Sequence, residues 1–240
     1  MAELNGKVAI VTGATRGIGR AIAEALAEAG IQVTVTSRKQ ADCEEAAAAI
    51  AERTGTRALG IACDVRDATS CAQLVERTVG ELGRLDILVN NAGIGAFAPV
   101  ADMSVDTWDA VIGTNLDGPF YCTHAALPHL KKIGEAWVIN IGSLAGKNAF
   151  PNGAAYNASK FGLIGFSEAL MQEVRYDGIR VSCIMPGSVA TEFSHPSGST
   201  DGEWRVQAGD IARIVMDLLA TPARTLASRI EVRPSQPPRK

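Results

Sequence analysis

"KVAIVTGATRGIG", residues Lys7–Gly19, holds the reading of the whole chain. Its first part is apolar and rich in valine and isoleucine, which predicts a buried strand over Lys7–Thr12. Its second part, "TGATRGIG", packs three glycines into the turn that follows. Apolar residues then recur at helical spacing over Arg16–Ala29, and Gly30 ends the run. Gly13 allows a sharp turn that a side chain would obstruct. Gly17 and Gly19 let the backbone come close to an anion and let the helix lie close to the sheet. With Thr15, Arg16 and Ile18 between them, they bring the donor-rich, positive end of a helix to one point. A glycine-rich turn alone says little. As the first strand-to-helix turn of a chain, it reads as a cradle for a pyrophosphate.

The same alternation continues to the end. Strands are expected over Ile31–Ser37, Ala58–Asp64, Asp86–Asn91, Ala136–Ser143, Arg180–Gly187 and Ser228–Val232. Helices are expected over Gln40–Arg53, Asp67–Leu82, one long stretch Ser104–Ile133, Ala155–Tyr176 and Ala208–Ala220. Strands that are almost wholly apolar are buried on both faces. Alternating with helices, they give a parallel sheet with right-handed crossovers: an α/β, three-layer, doubly wound Rossmann fold of about seven strands. In such folds ligands bind beyond the carboxyl ends of the strands. No linker or internal repeat divides the 240 residues, so one dinucleotide-binding catalytic domain is expected over 1–240. A loop rich in Pro, Gly and Ser, about 192–207, falls where a substrate would be met, and the proline-rich tail from Arg233 to Lys240 is expected to fray.

Composition narrows the partners. The formal net charge is −3, with no basic stripe, which argues against nucleic acid. No apolar run is long enough for a spanning helix and the first residues lack a signal peptide's apolar core, so no membrane partner and a cytoplasmic location are expected. The five cysteines are scattered, never as CxxC, and read as reduced packing residues. His124, His129 and His195 form no metal pattern, and no metal is expected.

Further motifs follow in order: "NNAG" from Asn90 to Gly93, Asn115, Ser143, Tyr156 with Lys160 four residues on, "PG" at Pro186 and Gly187, and Thr191. Residues four apart share a helix face, so Tyr156 and Lys160 project together. An ammonium beside a phenol favours the phenolate and lowers its pKa. A phenol tuned this way gives a proton to a carbonyl oxygen or takes one from an alcohol. Ser143, expected as the last residue of its strand, supplies a hydroxyl for the same oxygen.

In these motifs, and in the GxxxGxG spacing of Gly13, Gly17 and Gly19, the chain resembles the short-chain dehydrogenase/reductase family from about Leu4 to Thr191. The resemblance implies a catalytic set of Asn115, Ser143, Tyr156 and Lys160, with Asn115 holding a water that links the lysine to solvent. It also implies that Lys160 holds the nicotinamide ribose and Thr191 the carboxamide, with Pro186, Gly187 and Val189 along the nicotinamide. Asp64 and Val65 would lie at the adenine, and Asn91, Ala92 and Gly93 near the adjacent ribose. Asn91 also has a plainer reading, as turn chemistry before Gly93. The second strand ends Ser37–Arg38 where an NAD site needs an acid. With Arg16, this resembles the pattern that prefers NADP(H) over NAD(H), since a 2′-phosphate calls for cations.

The expected activity is the NADP(H)-dependent interconversion of a carbonyl compound, either ketone or aldehyde and including 3-oxoacyl groups, and an alcohol. Tyr156 serves as general acid and base. Gly95–Phe97, Leu144, Ala145, Phe150, Asn152, Val189 and Phe193 are the expected pocket residues, with Lys147 and Arg205 as nearby cations. The family also implies a homodimer or homotetramer. Two other readings compete: a non-catalytic NADP-binding sensor, and a hydrolase. For the hydrolase no Ser–His–acid set is present.

Overall fold

The computed structural model describes residues 4–191 and 203–238. Seven strands form one parallel sheet in the order β3-β2-β1-β4-β5-β6-β7. They are β1 (Val8–Thr12), β2 (Gln32–Ser37), β3 (Ala58–Ala62), β4 (Ile87–Asn90), β5 (Ala136–Ile141), β6 (Ile179–Pro186) and β7 (Arg229–Val232). Between them run α1 (Gly17–Glu28), α2 (Gln40–Thr54), α3 (Ala68–Leu82), α4 (Val105–Ile112), α5 (Gly118–Ile133), α6 (Ala154–Val174) and α7 (Ala208–Leu219).

Both faces of the sheet are covered, as the unbroken apolar strands require. On β1, Ala9 and Val11 face a core shared with Ile22 and Leu26 of α1, Ile50 of α2 and Val215 of α7. Ile10, between them, faces the opposite core, with Leu74 of α3, Leu130 of α5 and Leu170 of α6. Each fully buried Leu or Ile side chain contributes about 1.5–3 kcal/mol by leaving water. The register is continuous: Val11 pairs with Val35 on one side and Val89 on the other. Strand order reverses at β1, between β2 and β4, which opens a crevice at the carboxyl ends.

Two boundaries differ from expectation in ways that matter for function. The long helix expected over Ser104–Ile133 is continuous over Val105–Ile133 but carries a π-helical turn. Ser104 caps α4 by accepting from Thr107 N–H at 3.1 Å. After Ile112 comes a π-helical turn over Gly113–Asp117, closed by the Gly118 N–H on the Gly113 carbonyl, and only then α5. The reason is legible one turn further on. An α-helix would need the N–H of residue 119 to reach the Asn115 carbonyl, and residue 119 is a proline. Secondly, β5 stops at Ile141. Ser143 lies two residues past the strand, as the N-cap of a 3₁₀ turn over Leu144–Gly146, where its Oγ accepts from Ala145 N–H at 3.1 Å.

Candidate active site

A cavity of 1680 Å³ runs along the carboxyl ends of the strands. At one end lies the glycine turn. Gly13 has φ +64°, and a Cβ there would stand 2.9 Å from Ala92 Cα, so the turn after β1 and the turn after β4 touch only because residue 13 has no side chain. Gly19 is buried, and a Cβ on it would run into the Asn91 side chain and the Gly13 carbonyl. The N-cap of α1, Arg16, makes no side-chain cap hydrogen bond, and the first residues of the helix, Gly17 and Ile18, line the cavity. Gly17, with φ +58°, faces Thr191 across the cleft. A backbone cradle, an uncapped helix start and a long cleft fit a dinucleotide.

Asn91 makes contacts that neither of its readings named. Its side-chain amide donates to the Thr12 and Gly13 carbonyls at 2.8 and 3.1 Å, and so staples the first turn to the fourth strand. It still lines the cavity, as do Ala92 and Gly93.

Beyond β2, Ser37, Arg38 and Lys39 line the cleft, with Arg16 opposite in the glycine turn. Asp42 is the acid among them. Lys39 escaped sequence reasoning, although it continues the Ser37–Arg38 run. Asp64 and Val65 line the wall, but the Asp64 carboxylate is held by Arg66, with Nη2 to Oδ2 at 2.6 Å. Arg66, followed by the charge of Arg38, holds the Asp64 carboxyl below the usual carboxylate range.

At the other end sit Ser143, Tyr156 and Lys160. Ser143 stands beside the Tyr156 phenol and favours its ionised form. Lys160 Nζ lies 5.8 Å from the centroid of the Tyr156 ring, so the two side chains share a face, as their spacing requires. The electrostatics differ from the sequence expectation. Burial raises the Tyr156 pKa, and Ser143 only offsets it. The Lys160 ammonium lies beside the ring and points its hydrogen bond elsewhere. Lys160 is 5% exposed, donates to the Ile141 carbonyl at 2.9 Å, and burial pushes its pKa down to about 8. At neutral pH both groups therefore hold their protons: a neutral phenol with a proton to give, next to a charged amine.

Asn115, in the π-helical turn, does not line the cavity. It is fully buried, and its carboxamide clamps Ile94 on both sides, accepting from N–H at 2.8 Å and donating to the carbonyl at 2.9 Å. It also donates to Ser159 Oγ at 3.1 Å. Gly93 joins the two halves: a Cβ there would be 3.3 Å from Asn115 Oδ1 and 3.8 Å from Lys160 Nζ. Of the residues expected to hold the cofactor, only Gly19 is hidden behind the wall; Gly13, Thr15, Arg16, Gly17, Ile18, Pro186, Gly187, Val189 and Thr191 all line it.

The expected pocket residues divide. Phe97, Leu144, Ala145, Phe150 and Val189 line the cavity. Asn152 does not: it takes φ +65° and accepts from Ala98 N–H at 2.9 Å, tying two loops together. Lys147 turns instead to Glu231, and the Arg205 guanidinium stacks over Trp204 at 5.0 Å. Phe193 lies outside the described residues. The tail gave the larger surprise. Arg233, Pro234, Pro237 and Pro238 line the cavity rather than trailing from the last strand, and Trp204 joins them. The proline content was a usable signal, because proline fixes φ and gives a short segment shape without hydrogen bonds.

The family model described as short chain dehydrogenase matches residues 7–202. An uncharacterized oxidoreductase of Staphylococcus saprophyticus is 34% identical over 98% of this chain and 100% of its own length. A 3-oxoacyl-[acyl-carrier-protein] reductase of Synechocystis sp. is 38% identical over 81% of this chain and 78% of its own. A crystal structure of a metagenomic short-chain oxidoreductase in complex with NADP superposes with a TM-score of 0.86 at 35% identity, covering 98% of this chain and 100% of that one. Among the described residues no helix is long and apolar enough to cross a membrane. The chain belongs to the short-chain dehydrogenase family, and it is an oxidoreductase of that family.

Proposed function

We propose that this protein reduces a carbonyl compound to an alcohol, with NADPH preferred over NADH, and that Tyr156 is the acid. The observation that carries the reading is the phenol of Tyr156, beside Ser143, at the far end of a cleft that begins at the Gly13–Gly19 cradle. A reduced nicotinamide, when bound, supplies the hydride that reaches the carbonyl carbon. Tyr156 gives its proton to the carbonyl oxygen as negative charge develops there. Ser143 donates to the same oxygen and spares it an unpartnered charge. Lys160, charged below about pH 8, steadies the phenolate left behind, and Asn115 sits beside Gly93 where the proton is replaced. In the other direction the same groups run in reverse.

Three cations support the cofactor choice. Arg16, Arg38 and Lys39 line the cleft where β2 ends, and a 2′-phosphate is the cofactor group that answers them. The solved neighbour that holds NADP strengthens the reading. We also propose a homo-oligomer built on α4, α5 and α6, a dimer or a tetramer, because Trp108, Phe120 and Phe161 on those helices are 40%, 48% and 46% exposed. All five cysteines are free and buried, which suits the reducing cytoplasm.

The test is a fluorescence titration with NADPH and NADH, followed by a panel of ketones and aldehydes on wild type and Tyr156→Phe. Tighter binding of NADPH and carbonyl-dependent oxidation of it, abolished in the variant, is the expected result. Full turnover by Tyr156→Phe would discard the acid.

A further inference from the structure

We propose that the carbonyl compound taken by this site carries an uncharged aromatic group, seated between the Phe97–Phe150 ring pair and the C-terminal segment from Arg233 to Pro238. The proposal rests on the carbonyl-reductase reading and names its substrate class.

The apolar surface begins at the proton donor. The Phe97 ring lies 5.7 Å from the Tyr156 ring, edge-on, and 5.8 Å from the Phe150 ring. Both phenylalanines line the cavity, yet they are 54% and 42% exposed. Rings left in water this way, next to the acid, have surface still to bury. They are also held. The Ala98 N–H donates to the Asn152 carbonyl at 2.9 Å, stitching the loop after β4 to the loop after β5. Phe150 N–H donates to Asn157 Oδ1 of α6 at 3.3 Å. A pre-arranged aromatic wall favours a flat, rigid partner, because stacking and edge contacts need fixed ring geometry.

The tail lines the same cavity. Gly187 N–H donates to the Val232 carbonyl at 2.8 Å, and a Cβ on Gly187 would be 3.0 Å from Leu144 and 3.5 Å from the Pro234 ring. Prolines at 234, 237 and 238 then continue along the cavity. Glu231 governs the charge here. It pairs with Arg233, at 2.7 Å, and with Lys147. The Arg233 guanidinium is thus engaged by a carboxylate that it shares with Lys147, so an anionic substrate would have to compete with Glu231 for it.

The experiment compares kcat/KM with NADPH for acetophenone, for the straight-chain methyl ketone of equal carbon number, and for phenylglyoxylate, which adds a carboxylate. Saturation-transfer NMR of acetophenone in the presence of NADP+ gives a binding readout that needs no turnover. Acetophenone is expected to exceed both competitors by about tenfold, the scale of one well-made aromatic contact. Phe97→Leu and Phe150→Leu should each narrow the aryl-over-alkyl ratio to about twofold and weaken the NMR signal. Both rings are exposed and neither change threatens the fold; a cofactor titration confirms it. A wild-type ratio at or below one, or a ratio and NMR signal unmoved by both substitutions, would overturn the proposal, as would a preference for phenylglyoxylate. Acetophenone binding that weakens in the Leu variants with no ketone reduced would keep the aromatic subsite and discard the reductase reading.

Discussion

The two ends of the cleft are built from different materials. The cofactor end is built on glycine: Gly13 and Gly19 act by what they lack, lying against the Ala92 backbone, the Gly13 carbonyl and the Asn91 amide that holds it, while Gly17 lies against the Thr191 side chain. The substrate end is side chain: Phe97, Phe150, Leu144 and four residues of the tail, brought from three distant stretches of sequence. A backbone cradle tolerates few alternatives, so it leaves a fixed spacing in the sequence. A side-chain wall tolerates many, and leaves none. Specificity is expected to live where the sequence is least legible.

Between the two ends stands the proton donor, and its removal has the largest expected effect. Tyr156→Phe keeps the ring and its edge contact with Phe97 but loses the hydroxyl beside Ser143. Carbonyl reduction should fall by about a thousandfold or more, while NADPH affinity changes little. A stopped-flow assay with a parallel cofactor titration separates the two quantities.

The cradle is next. In Gly19→Ala the new methyl meets Asn91 and the Gly13 carbonyl, both of which shape the turn. Overpacking of this kind costs about 1–3 kcal/mol, and here it falls on stability and cofactor binding together. Thermal melts with and without NADPH should show a lower Tm and a smaller cofactor-induced rise. The same change at Gly165, which has open space around it, should do neither.

Charge offers a third cut, through Lys160. Burial lowers its pKa to about 8 in the folded protein, while the unfolded chain keeps the ordinary lysine value. Below about 8 both states are protonated and the folded protein bears the full cost of a buried ammonium. Between about 8 and the ordinary value the unfolded chain binds more protons, so this group's contribution to stability rises with pH across that window. Lys160→Met should therefore gain stability over wild type at pH 7, and that gain should shrink as the pH is raised towards ~10. Activity runs the other way: kcat/KM for reduction is expected to fall above about pH 8 as the charge is lost. Denaturant titrations and rate profiles over the same pH range check both signs.

Arg38 tests cofactor choice on the cradle side alone. Arg38→Ala should weaken NADPH by about tenfold and leave NADH nearly untouched, because one charge-assisted contact to a phosphate is removed. Equal losses for both cofactors would reassign Arg38 to the shared pyrophosphate.

The legibility of the fold follows the same division. The succession of strands and helices along the chain, the covered faces of the sheet and the pairing of Tyr156 with Lys160 all follow from period and spacing, which are local properties. The phenol's electrostatics were misjudged because burial is not local: spacing brings Lys160 to the same face, but only packing decides that its ammonium turns to the Ile141 carbonyl. The tail was misjudged because proline content was taken for fraying, when the neighbour that receives it, Gly187, stands far back in the sequence. The π turn is legible in the sequence. Pro119 lies four residues after Asn115, at the spacing that deprives its carbonyl of an α-helical donor.

That proline gives the smallest and most pointed prediction. Pro119→Ala restores an N–H four residues beyond Asn115, and so offers the segment a regular α-helix in place of the π turn. Two effects oppose each other. The new hydrogen bond favours the regular helix. The Asn115 carboxamide, with its two bonds to Ile94 and one to Ser159, holds the turn as it is. Three bonds at about 1 kcal/mol each outweigh one, so the fold should persist with a stability change under ~1 kcal/mol. The Asn115 carbonyl, however, now has a protein donor competing for it. If that carbonyl serves the proton path beside Lys160, reduction should slow by a few-fold with KM for the ketone unchanged. An unaltered rate would make the π turn a packing device that only positions Asn115 against Ile94.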